Sequence, residues 1–436
     1  MLLIDCHMAV FRLPEEIWME VFKYLSKSDK LNVRSCCTYF KRLVDHRSLW
    51  KNETIALRTF KSYKANFWKT LRCRMLASVI VDDANEKEWK KIVTSLPWLR
   101  SVIVDLSKVD SDVLTNLSSL RELKTLVVRL LCDSSGLAKS LTLLPQLEQL
   151  SVCCFIFDSV RSELMNAISQ LSNLTSLRLH EGRYPIPKQT FHALLRSLPK
   201  LKHLSLRMWT GQALPDDYLN LSGEALGSPD LHNGKNGLTS LELLNYMDPM
   251  LSPVALDHLP FLESLTVKYD RRDKGRSHLR SWLKSLTHLT ELTVMNGHPF
   301  RGYATSLPRT LRTLSLTGMM MRPGAMALAA KKVPDLQHLH YDPFDFKGDI
   351  IIVEIPRLFP QLQTLKIRSF GMSGRDLLRL GEMHQMKRLV FLDGRSSHSP
   401  ISSELLCRFQ VLTDYRVHVV LSGEPTDKAA CLCDFL

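Results

Sequence analysis

The nine-residue stretch LPKLKHLSL, at residues 198–206, recurs in closely similar form along the chain. LPQLEQLSV occupies residues 144–152, LSNLTSLRL residues 171–179, LPFLESLTV residues 259–267 and LTHLTELTV residues 286–294. Each copy contains the hexad L-x-x-L-x-L, in which the apolar residues keep their positions while the residues between them vary. A recurring unit of this kind indicates a repeat architecture, and it decides the fold.

The first apolar residue of the hexad recurs mostly every 22 to 27 residues, within the period of roughly 20–29 that is typical of leucine-rich repeats. One step, from Leu201 to Leu238, is much longer. A degenerate last copy is expected near Leu412. The complete copies begin at Leu76, Leu99, Leu123, Leu147, Leu174, Leu201, Leu238, Leu262, Leu289, Leu311, Leu336, Leu362 and Met386.

Within each repeat the spacing of apolar residues changes from that of a strand to that of a helix. Leu204-Ser205-Leu206 alternates as a half-buried strand does. Helical stripes follow other hexads: Trp89, Ile92, Val93 and Leu96; Val160, Leu164, Ile168 and Leu171; Phe191, Leu194, Leu195 and Leu198. Since one strand and one helix cannot bury their apolar faces alone, stacked copies must share a core. We therefore predict an α/β leucine-rich-repeat solenoid over residues 76–420, with a curved parallel sheet, outer helices and about 13–14 repeats.

The composition is that of a folded protein, with 45% apolar and 23% charged residues. No apolar run reaches the length of about 18 residues that a membrane span needs. The N-terminal residues lack a basic segment, so we expect no secretory signal and a cytoplasmic or nuclear protein. The ten cysteines should then be reduced, and their spacing shows no C-x-x-C ladder for zinc. The net charge of +14 favours acidic partners.

A second kind of unit precedes the repeats, with the sequence FRLPEEIWMEVFKYLSKSDKLNVRSCCTYFKRLVDHRSLWK at residues 11–51. Pro14 suits the start of a helix, and Ser28 or Asp29 is expected to cap a second one. A unit of about 40 residues buries its apolar surface poorly, so part of that surface should face the repeats or another protein. The expected division is a disordered 1–10, this unit at 11–55, a linker helix at 56–75 and a tail at 421–436.

This segment resembles an F-box. The shared features are the leading Leu-Pro, the following acidic residue, F-x-Y-L, S-x-x-D, the C-x-x-aromatic-basic-x-L run and the closing Leu-Trp. Two positions depart from the family's pattern, because Cys36 stands for a valine and Phe40 for a tryptophan. The resemblance implies that these helices dock on the adaptor SKP1. The implied SKP1-facing residues are Leu13, Pro14, Ile17, Phe22, Leu25, Leu31, Cys37, Phe40, Leu43 and Trp50.

An F-box followed by leucine-rich repeats is the arrangement of substrate receptors in SKP1–cullin–F-box (SCF) ubiquitin ligases. The resemblance therefore implies a non-catalytic subunit that binds SKP1, reaches a cullin–RING assembly through it, and holds a target protein for ubiquitination. The alternative is a scaffold that assembles partners outside any ligase. No phosphate loop, G-x-S-x-G or H-E-x-x-H motif is present, so we expect neither an enzyme nor a cofactor. Nucleic-acid binding is not expected either.

Residues that flank the inward leucines of each hexad should lie on the open, concave strand face. One predicted patch on this face consists of Arg178, His180, His203, Arg207 and Trp209. Arginine is suited to carboxylates and phosphates. The patch is therefore a candidate site for an acidic or phosphorylated target segment; the alternative is a solvated basic face.

Four further signals are ambiguous. HLHYD at residues 338–342 has a metal-site spacing but falls on a predicted strand, and we interpret it as strand-face residues rather than a metal site. The insertion after Leu206 is expected to be a protruding loop, either binding or floppy. The basic run 268–284 is expected to be a solvated loop that leads into a helix. The C-terminal CDFL makes Cys433 a candidate for prenylation, so a membrane partner is expected only if Cys433 is lipidated.

Overall fold

The computed structural model describes residues 13–82, 84–106, 111–130, 135–154, 158–181, 185–208, 213–220, 237–248, 250–270, 277–322, 324–344, 348–369, 372–393 and 401–422. The chain divides into two compact units. The first runs to Leu150 and includes Ile156–Leu171, and the second comprises Ser151–Phe155 and Ser172–Phe435. The two units are described separately below.

In the first unit, three short helices precede a repeating alternation of strands and helices. The elements are α1 (Glu15–Lys23), α2 (Lys27–Cys36), α3 (Thr38–Val44), β1 (Thr54–Leu57), α4 (Ala65–Arg74), β2 (Ser78–Asp82), α5 (Glu86–Ser95), β3 (Ser101–Leu106), β4 (Thr125–Leu130), α6 (Ser135–Thr142) and, after β5 (Gln149–Cys154) at the division, α7 (Asp158–Ser169). Three-ten helices lie at Arg47–Leu49, Phe60–Ser62 and Ser111–Ser119.

The second unit continues the same alternation. Its elements are β6 (Ser176–Glu181), α8 (Lys188–Arg196), β7 (His203–Arg207), β8 (Ser240–Tyr246), β9 (Ser264–Tyr269), α9 (Leu279–Ser285), β10 (Glu291–Met295), β11 (Thr313–Thr317), α10 (Ala325–Lys332), β12 (His338–Asp342), α11 (Gly348–Leu358), β13 (Thr364–Ile367), α12 (Gly374–Leu380), β14 (Arg388–Phe391), α13 (Ser403–Leu412) and β15 (His418–Leu421). Three-ten helices at Ala255–His258, Phe300–Gly302 and Ala304–Ser306 replace α-helices in some repeats.

The strands pair in parallel and in chain order within each unit. β1 to β4 form one such series, and β6 to β15 form the other. Register aligns equivalent repeat positions, so that His203 lies between Ser176 and Ser240. Parallel neighbours joined through helical connections are the arrangement expected of stacked strand–helix repeats. The predicted α/β leucine-rich-repeat class is confirmed.

The core follows the predicted hexad positions. Every one of the predicted first apolar residues from Leu76 to Met386 is buried. The described residues of the helical stripes are buried as well, including Trp89 and Ile92 on α5 and Phe191 on α8. Each fully buried aliphatic side chain stabilises the fold by roughly 1.5–3 kcal/mol. The repeat spacing therefore predicted the core correctly, residue by residue.

The last repeat differs from the expectation. Leu412 is 55% exposed at the end of α13, and the pairing of Arg388 with His418 places Arg416 at the position that Met386 occupies one repeat earlier. The Arg416 guanidinium donates hydrogen bonds to the carbonyl oxygens of Met383 and His384 at 3.1 and 2.8 Å. In the last repeat, Arg416 therefore replaces the apolar residue, and its guanidinium satisfies main-chain carbonyl groups by hydrogen bonding.

The first strand lies earlier than predicted. β1 pairs with β2, with Thr54 opposite Ser78, so the sheet begins before the segment that was expected to be a linker helix. Only the second half of that segment is helical, as α4. A backbone that continues the sheet ties the helical N-terminal segment to the first repeat without a free linker.

Trp50 is the centre of the packing between the N-terminal helices and α4. Its indole is 1% exposed, and its Nε1 donates to the carbonyl oxygen of Val44. The Arg74 guanidinium lies 3.7 Å from the ring centroid and forms an ion pair of 2.8 Å with Asp45. Asp45 also accepts a 2.8 Å hydrogen bond from Arg34 on α2. One carboxylate therefore joins α2, α4 and the end of α3.

The described part of the long insertion is packed rather than protruding, which corrects the sequence-based expectation for residues 213–220. Tyr218 is buried, stacks on Phe191 with ring centroids 4.7 Å apart, and donates to the carbonyl oxygen of Ile186 at 3.0 Å. Leu214 and Leu219 are buried beside it. This segment extends the core of its repeat.

Turns at the strand ends use left-handed backbone conformations. Asn245, Asn296 and Gly318 have φ values of 54, 52 and 62°, and each lies at the same position relative to its repeat leucine. A Cβ atom on Gly318 would overlap the Asn296 side-chain oxygen. Gly318 is therefore required both by its backbone angle and by its neighbour.

We expect Gly318→Ala to lower the free energy of unfolding by about 1–3 kcal/mol, because left-handed strain and overlap add. Gly324 has a similar φ but open space around it, so Gly324→Ala should lower the free energy of unfolding by less. Gly302→Ala has open space and no left-handed φ, and should be nearly neutral. Denaturant unfolding of the three variants measures the order; equal losses at Gly318 and Gly302 would contradict this account.

We expect Asp45→Asn to destabilise the first unit by roughly 3 kcal/mol, because it leaves the buried Arg74 without a counter-charge. The matched control is Glu20→Gln, which removes the Lys23–Glu20 ion pair. Both of its side chains are more than half exposed, so its loss should change stability little. Thermal and urea unfolding compare the two; a loss no larger than the control's would refute the role of Asp45.

Candidate functional site

Side-chain caps separate the three N-terminal helices. The Ser26 hydroxyl accepts from the Asp29 amide at 3.1 Å and caps α2, so the expected cap at Ser28 or Asp29 is two or three residues too late. The Cys37 sulfur accepts from the Phe40 amide at 3.4 Å and caps α3. Cys37 therefore separates α2 from α3.

The inner face of α1 is an aromatic cluster. Phe22 is buried and contacts Phe40 edge-on with ring centroids 5.5 Å apart. Trp18 lies 4.9 Å from the same Phe40 ring. Edge-to-face pairs of this kind stabilise by about 0.5–1.5 kcal/mol beyond their burial. The cluster orients α1 against α3 and determines which side of α1 remains outside.

The outer face of α1 is apolar and exposed. Leu13, Ile17, Val21 and Tyr24 are 44, 47, 44 and 83% exposed, and their spacing of three and four residues places them along one side of the helix. We call these four residues the α1 stripe. Leu31 on α2 is also about half exposed. Contiguous apolar surface on a small helical unit is typical of a site for another protein.

The predicted SKP1-facing residues divide by exposure. Four are exposed (Leu13, Pro14, Ile17 and Leu31) and three are half-buried (Leu25, Cys37 and Phe40). The other three, Phe22, Leu43 and Trp50, are buried in the chain's own packing. The expectation that these three are available on the surface is corrected.

Val21 and Tyr24 are additional surface residues that the sequence reading missed. The packing of Phe22 in the aromatic cluster, with Val21 left exposed, shows that these two side chains lie on different sides of α1.

On the strands, the predicted basic patch is partly neutralised. Arg178 lies 3.8 Å from Glu242, across Ser205, which pairs with both residues in register. The sequence did not reveal Glu242 as a neighbour of Arg178, because the long insertion between β7 and β8 obscures the register of these two strands. Arg207 is half-buried, and Trp209 lies outside the described residues.

The two histidines of this patch are less accessible than expected. His180 is 1% exposed and shares a 2.9 Å hydrogen bond with Ser205, so the expectation that it lies on the open face is wrong. His203 is half-buried, with Nδ1 2.8 Å from the Ser240 hydroxyl. Burial lowers the pKa of His203, and the nearby Arg178 lowers it further. Both rings are held by hydrogen bonds within the sheet.

A second group of polar residues lies on β12 and β13. HLHYD forms β12, as predicted for a strand. Asp342 is buried and forms an ion pair with Arg368, with Nε 2.5 Å from Oδ1 and Nη2 3.2 Å from Oδ2. His340 Nδ1 lies 3.1 Å from the Ser315 hydroxyl. Burial, with Lys366 next in importance, lowers the pKa of His340 to about 4.

Two further kinds of site were sought in the described ranges. No three His, Cys, Asp or Glu side chains among them come together in an arrangement that could hold a metal ion. No helix in the same ranges is both long and apolar enough to cross a bilayer. Cys433 and residues 271–276 of the basic run lie outside the described residues, so the predictions on them stay predictions.

Comparison with known proteins agrees with this division into helices and repeats. Residues 10–55 match the family model described as F-box-like. F-box/LRR-repeat protein 12 of Mus musculus is 26% identical over 219 residues, a match covering 45% of this chain and 64% of that protein. The protein of the same name in Homo sapiens is 25% identical over 274 residues, covering 56% of this chain and 81% of that one.

A solved structure gives a weaker likeness. In the crystal structure of the Rad7 and Elc1 complex in yeast, a chain with 14% identity aligns over 93% of this chain and 92% of its own length, with a TM-score of 0.49.

The domain content is an F-box-like segment followed by stacked leucine-rich repeats. The chain is similar to proteins of the F-box/leucine-rich-repeat family. The similarity to F-box/LRR-repeat protein 12 is at modest identity, and the chain spans just under two thirds of the mouse relative.

We expect the stability of the second unit to fall as pH falls from about 6.5 to about 4. Over this range the unfolded chain binds a proton at His340 that the folded chain does not, since the folded pKa is lowered to about 4. His340→Gln should reduce this loss, whereas His418→Gln, at an exposed position, should leave it. Urea unfolding at about pH 7 and about pH 5 measures the difference; identical pH dependence in both variants would contradict the assignment.

Proposed function

We propose that this chain is the substrate-binding subunit of an SCF ubiquitin ligase. The F-box binds SKP1, and the open strand face of the repeats binds a target protein. The observation that carries the proposal is the α1 stripe, which leaves four large side chains in solvent on a unit that already has its own aromatic core. F-box/leucine-rich-repeat proteins are generally non-catalytic adaptors, and the F-box generally binds SKP1.

The packing around Trp50 supports a preformed docking surface. Trp50, Arg74 and Asp45 fix the F-box helices against the first strand and helix of the repeats, and Lys30 adds a 3.0 Å ion pair to Glu53. A surface that is ordered before binding loses less conformational entropy when a partner covers it. Burying apolar area at about 25 cal/mol per Å² then favours association.

The proposed contribution to ubiquitination is proximity. A receptor that holds both SKP1 and a target raises the effective concentration of the target's lysines near the ubiquitin-conjugating enzyme that the cullin–RING assembly recruits. The chain itself then needs no nucleophile or cofactor. The F-box supplies one binding function and the repeats the other.

We expect Ile17→Glu with Val21→Glu to weaken SKP1 binding by about a hundredfold. Each substitution removes an apolar contact and places a charge against the adaptor, and a loss of roughly 1.4 kcal/mol per site corresponds to about tenfold in affinity. Both positions are more than 40% exposed, so the variant should fold normally. Lys23→Glu introduces a charge at an exposed position of the same helix and should leave binding close to wild type. Titration calorimetry with purified SKP1 measures all three.

Two results would count against the proposal. Unchanged SKP1 affinity in the double variant would exclude the α1 stripe as the docking surface. Recovery of SKP1 without any cullin from cells that express the full chain would favour the alternative scaffold, in which the repeats assemble partners outside a ligase. Recovery of SKP1 together with cullin, lost in the double variant, is the expected outcome.

A further inference from the structure

The open face of the last five strands carries an excess of positive charge. The strand positions that alternate with the repeat leucines are occupied by Thr313, Ser315 and Thr317 on β11, His338, His340 and Asp342 on β12, Thr364 and Lys366 on β13, Arg388 and Val390 on β14, and His418 and Val420 on β15. Of these, Ser315, Asp342 and Val390 are buried. Among them Asp342 is the single carboxylate, and Arg368, next to β13, already pairs with it.

Lys366 and Arg388 are the two cations on this face that stay unpaired. Both side chains are exposed, and within the described residues neither has a salt bridge or a hydrogen-bond partner. Arg178 on β6, by contrast, lies beside Glu242, and Arg368 is held by both oxygens of Asp342. Asp393, the nearest carboxylate after β14, accepts a 2.6 Å hydrogen bond from the Ser369 amide. Among the described residues, neither Asp342 nor Asp393 forms an ion pair with Lys366 or Arg388.

Register places these two cations close enough to act on one ligand. Lys366 pairs with Val390, and Arg388 lies two residues before Val390 on the adjacent strand. Neighbouring strands are about 4.8 Å apart and alternate residues about 6.6 Å, so the two Cβ atoms are diagonal neighbours roughly 8 Å apart. Long side chains at that separation converge on a single phosphoryl group, or contact carboxylates two residues apart on an extended peptide.

His340 adds a fixed polar atom beside Lys366. The two residues pair across β12 and β13, and His340 Nδ1 is engaged by Ser315. Its Nε2 is buried and has no partner among the described residues. A buried polar nitrogen without a partner costs roughly 1–3 kcal/mol. The hydrogen bond to Ser315 holds the ring in place beside Lys366.

We propose that Lys366 and Arg388, with the His340 ring held beside them, form the binding site for an acidic segment of the target protein, which the two cations contact through carboxylate or phosphoryl oxygens. This inference deepens the proposed function and rests on it for the identity of the partner as a ligase substrate. It moves the principal contact from the patch around Arg178 to β12–β14. Charge complementarity is the reason, because the carboxylate of the first patch lies beside Arg178, whereas Asp342 on β12 is paired with Arg368 and not with Lys366 or Arg388.

The same surface does not suit nucleic acid. The open-face residues of β11–β15 include no Phe, Tyr or Trp on which bases could stack. Nucleic acids are normally bound along a basic groove that contacts many backbone phosphates. Two unpaired cations are few for such a groove. An acidic peptide segment fits the size and the charge of the site.

The test uses the full chain and three labelled peptides of one length: alternating Glu and Ser, the same sequence with phosphoserine, and a version with Gln in place of Glu. Fluorescence anisotropy should show binding of an acidic peptide and not of the Gln peptide. Lys366→Glu with Arg388→Glu should weaken it by at least about a hundredfold, since each reversal replaces an attraction by a repulsion. Preference for Glu or for phosphoserine would identify the anionic group.

Lys284→Glu with Arg309→Glu is the matched control. It changes the net charge by the same amount at two exposed residues on the helix side of the repeats, and it should weaken binding by less than about threefold, through long-range charge alone. An equal loss in the control, equal binding of the Gln peptide, or tighter binding of a single-stranded DNA oligonucleotide would overturn the proposal. If the double reversal fails to fold, Lys366→Gln with Arg388→Gln, which removes charge without repulsion, replaces it and should still weaken binding at least about tenfold.

The outcome is separable from that of the proposed function. The Ile17→Glu and Val21→Glu variant, which tests the F-box, is expected to bind the acidic peptide as the wild type does. Failure of the wild type to bind SKP1 while the peptide result holds would reject the ligase role and keep the acidic site. Failure to bind any acidic peptide while SKP1 binds would reject the site and keep the ligase role.

Discussion

Each repeat depends on the burial of apolar side chains that its own strand and helix cannot cover. Leu174, Leu201 and Leu238 each lie in the same position of successive repeats and are buried by stacking. Because every unit contacts mainly its neighbours, stability accumulates along the chain instead of residing in one centre. The same constraint orders the open face, since the strand residues directly next to the buried leucines must point away from the core. Function on this face is therefore a matter of which residues occupy those positions in adjacent strands.

The F-box follows a different rule, because it is too small to enclose all of its apolar residues. Trp50 packs inside the unit against Arg74, and Phe22 packs against Phe40. With those side chains inside, α1 keeps Ile17 and Val21 in solvent. Helix α1 is thus apolar on two sides, which have different roles. The inner side holds the unit together, and the outer side is the surface proposed for an adaptor.

Charge on the strands is decided by neighbours across the sheet rather than by neighbours in the chain. Arg178 meets Glu242, which is more than sixty positions away in sequence, since Ser205 on the intervening strand is small. Arg368 meets Asp342 in the same manner. Lys366 and Arg388 meet no such carboxylate among the described residues. Two basic patches that look alike in sequence therefore differ in the charge that they offer to a partner.

The amino-acid sequence by itself determined the repeat, the positions of the buried leucines and the helical stripes, because these are periodic and depend on local spacing. It also determined the F-box through the order of its motifs. Tertiary structure decided what periodicity cannot express. The burial of His180 and Trp50, the separation of Val21 from Phe22, the replacement of a repeat leucine by Arg416 and the pairing of Arg178 with Glu242 all depend on contacts between segments distant in the chain. Packing and strand register determine those contacts, and they cannot be read from the spacing of apolar residues along the chain.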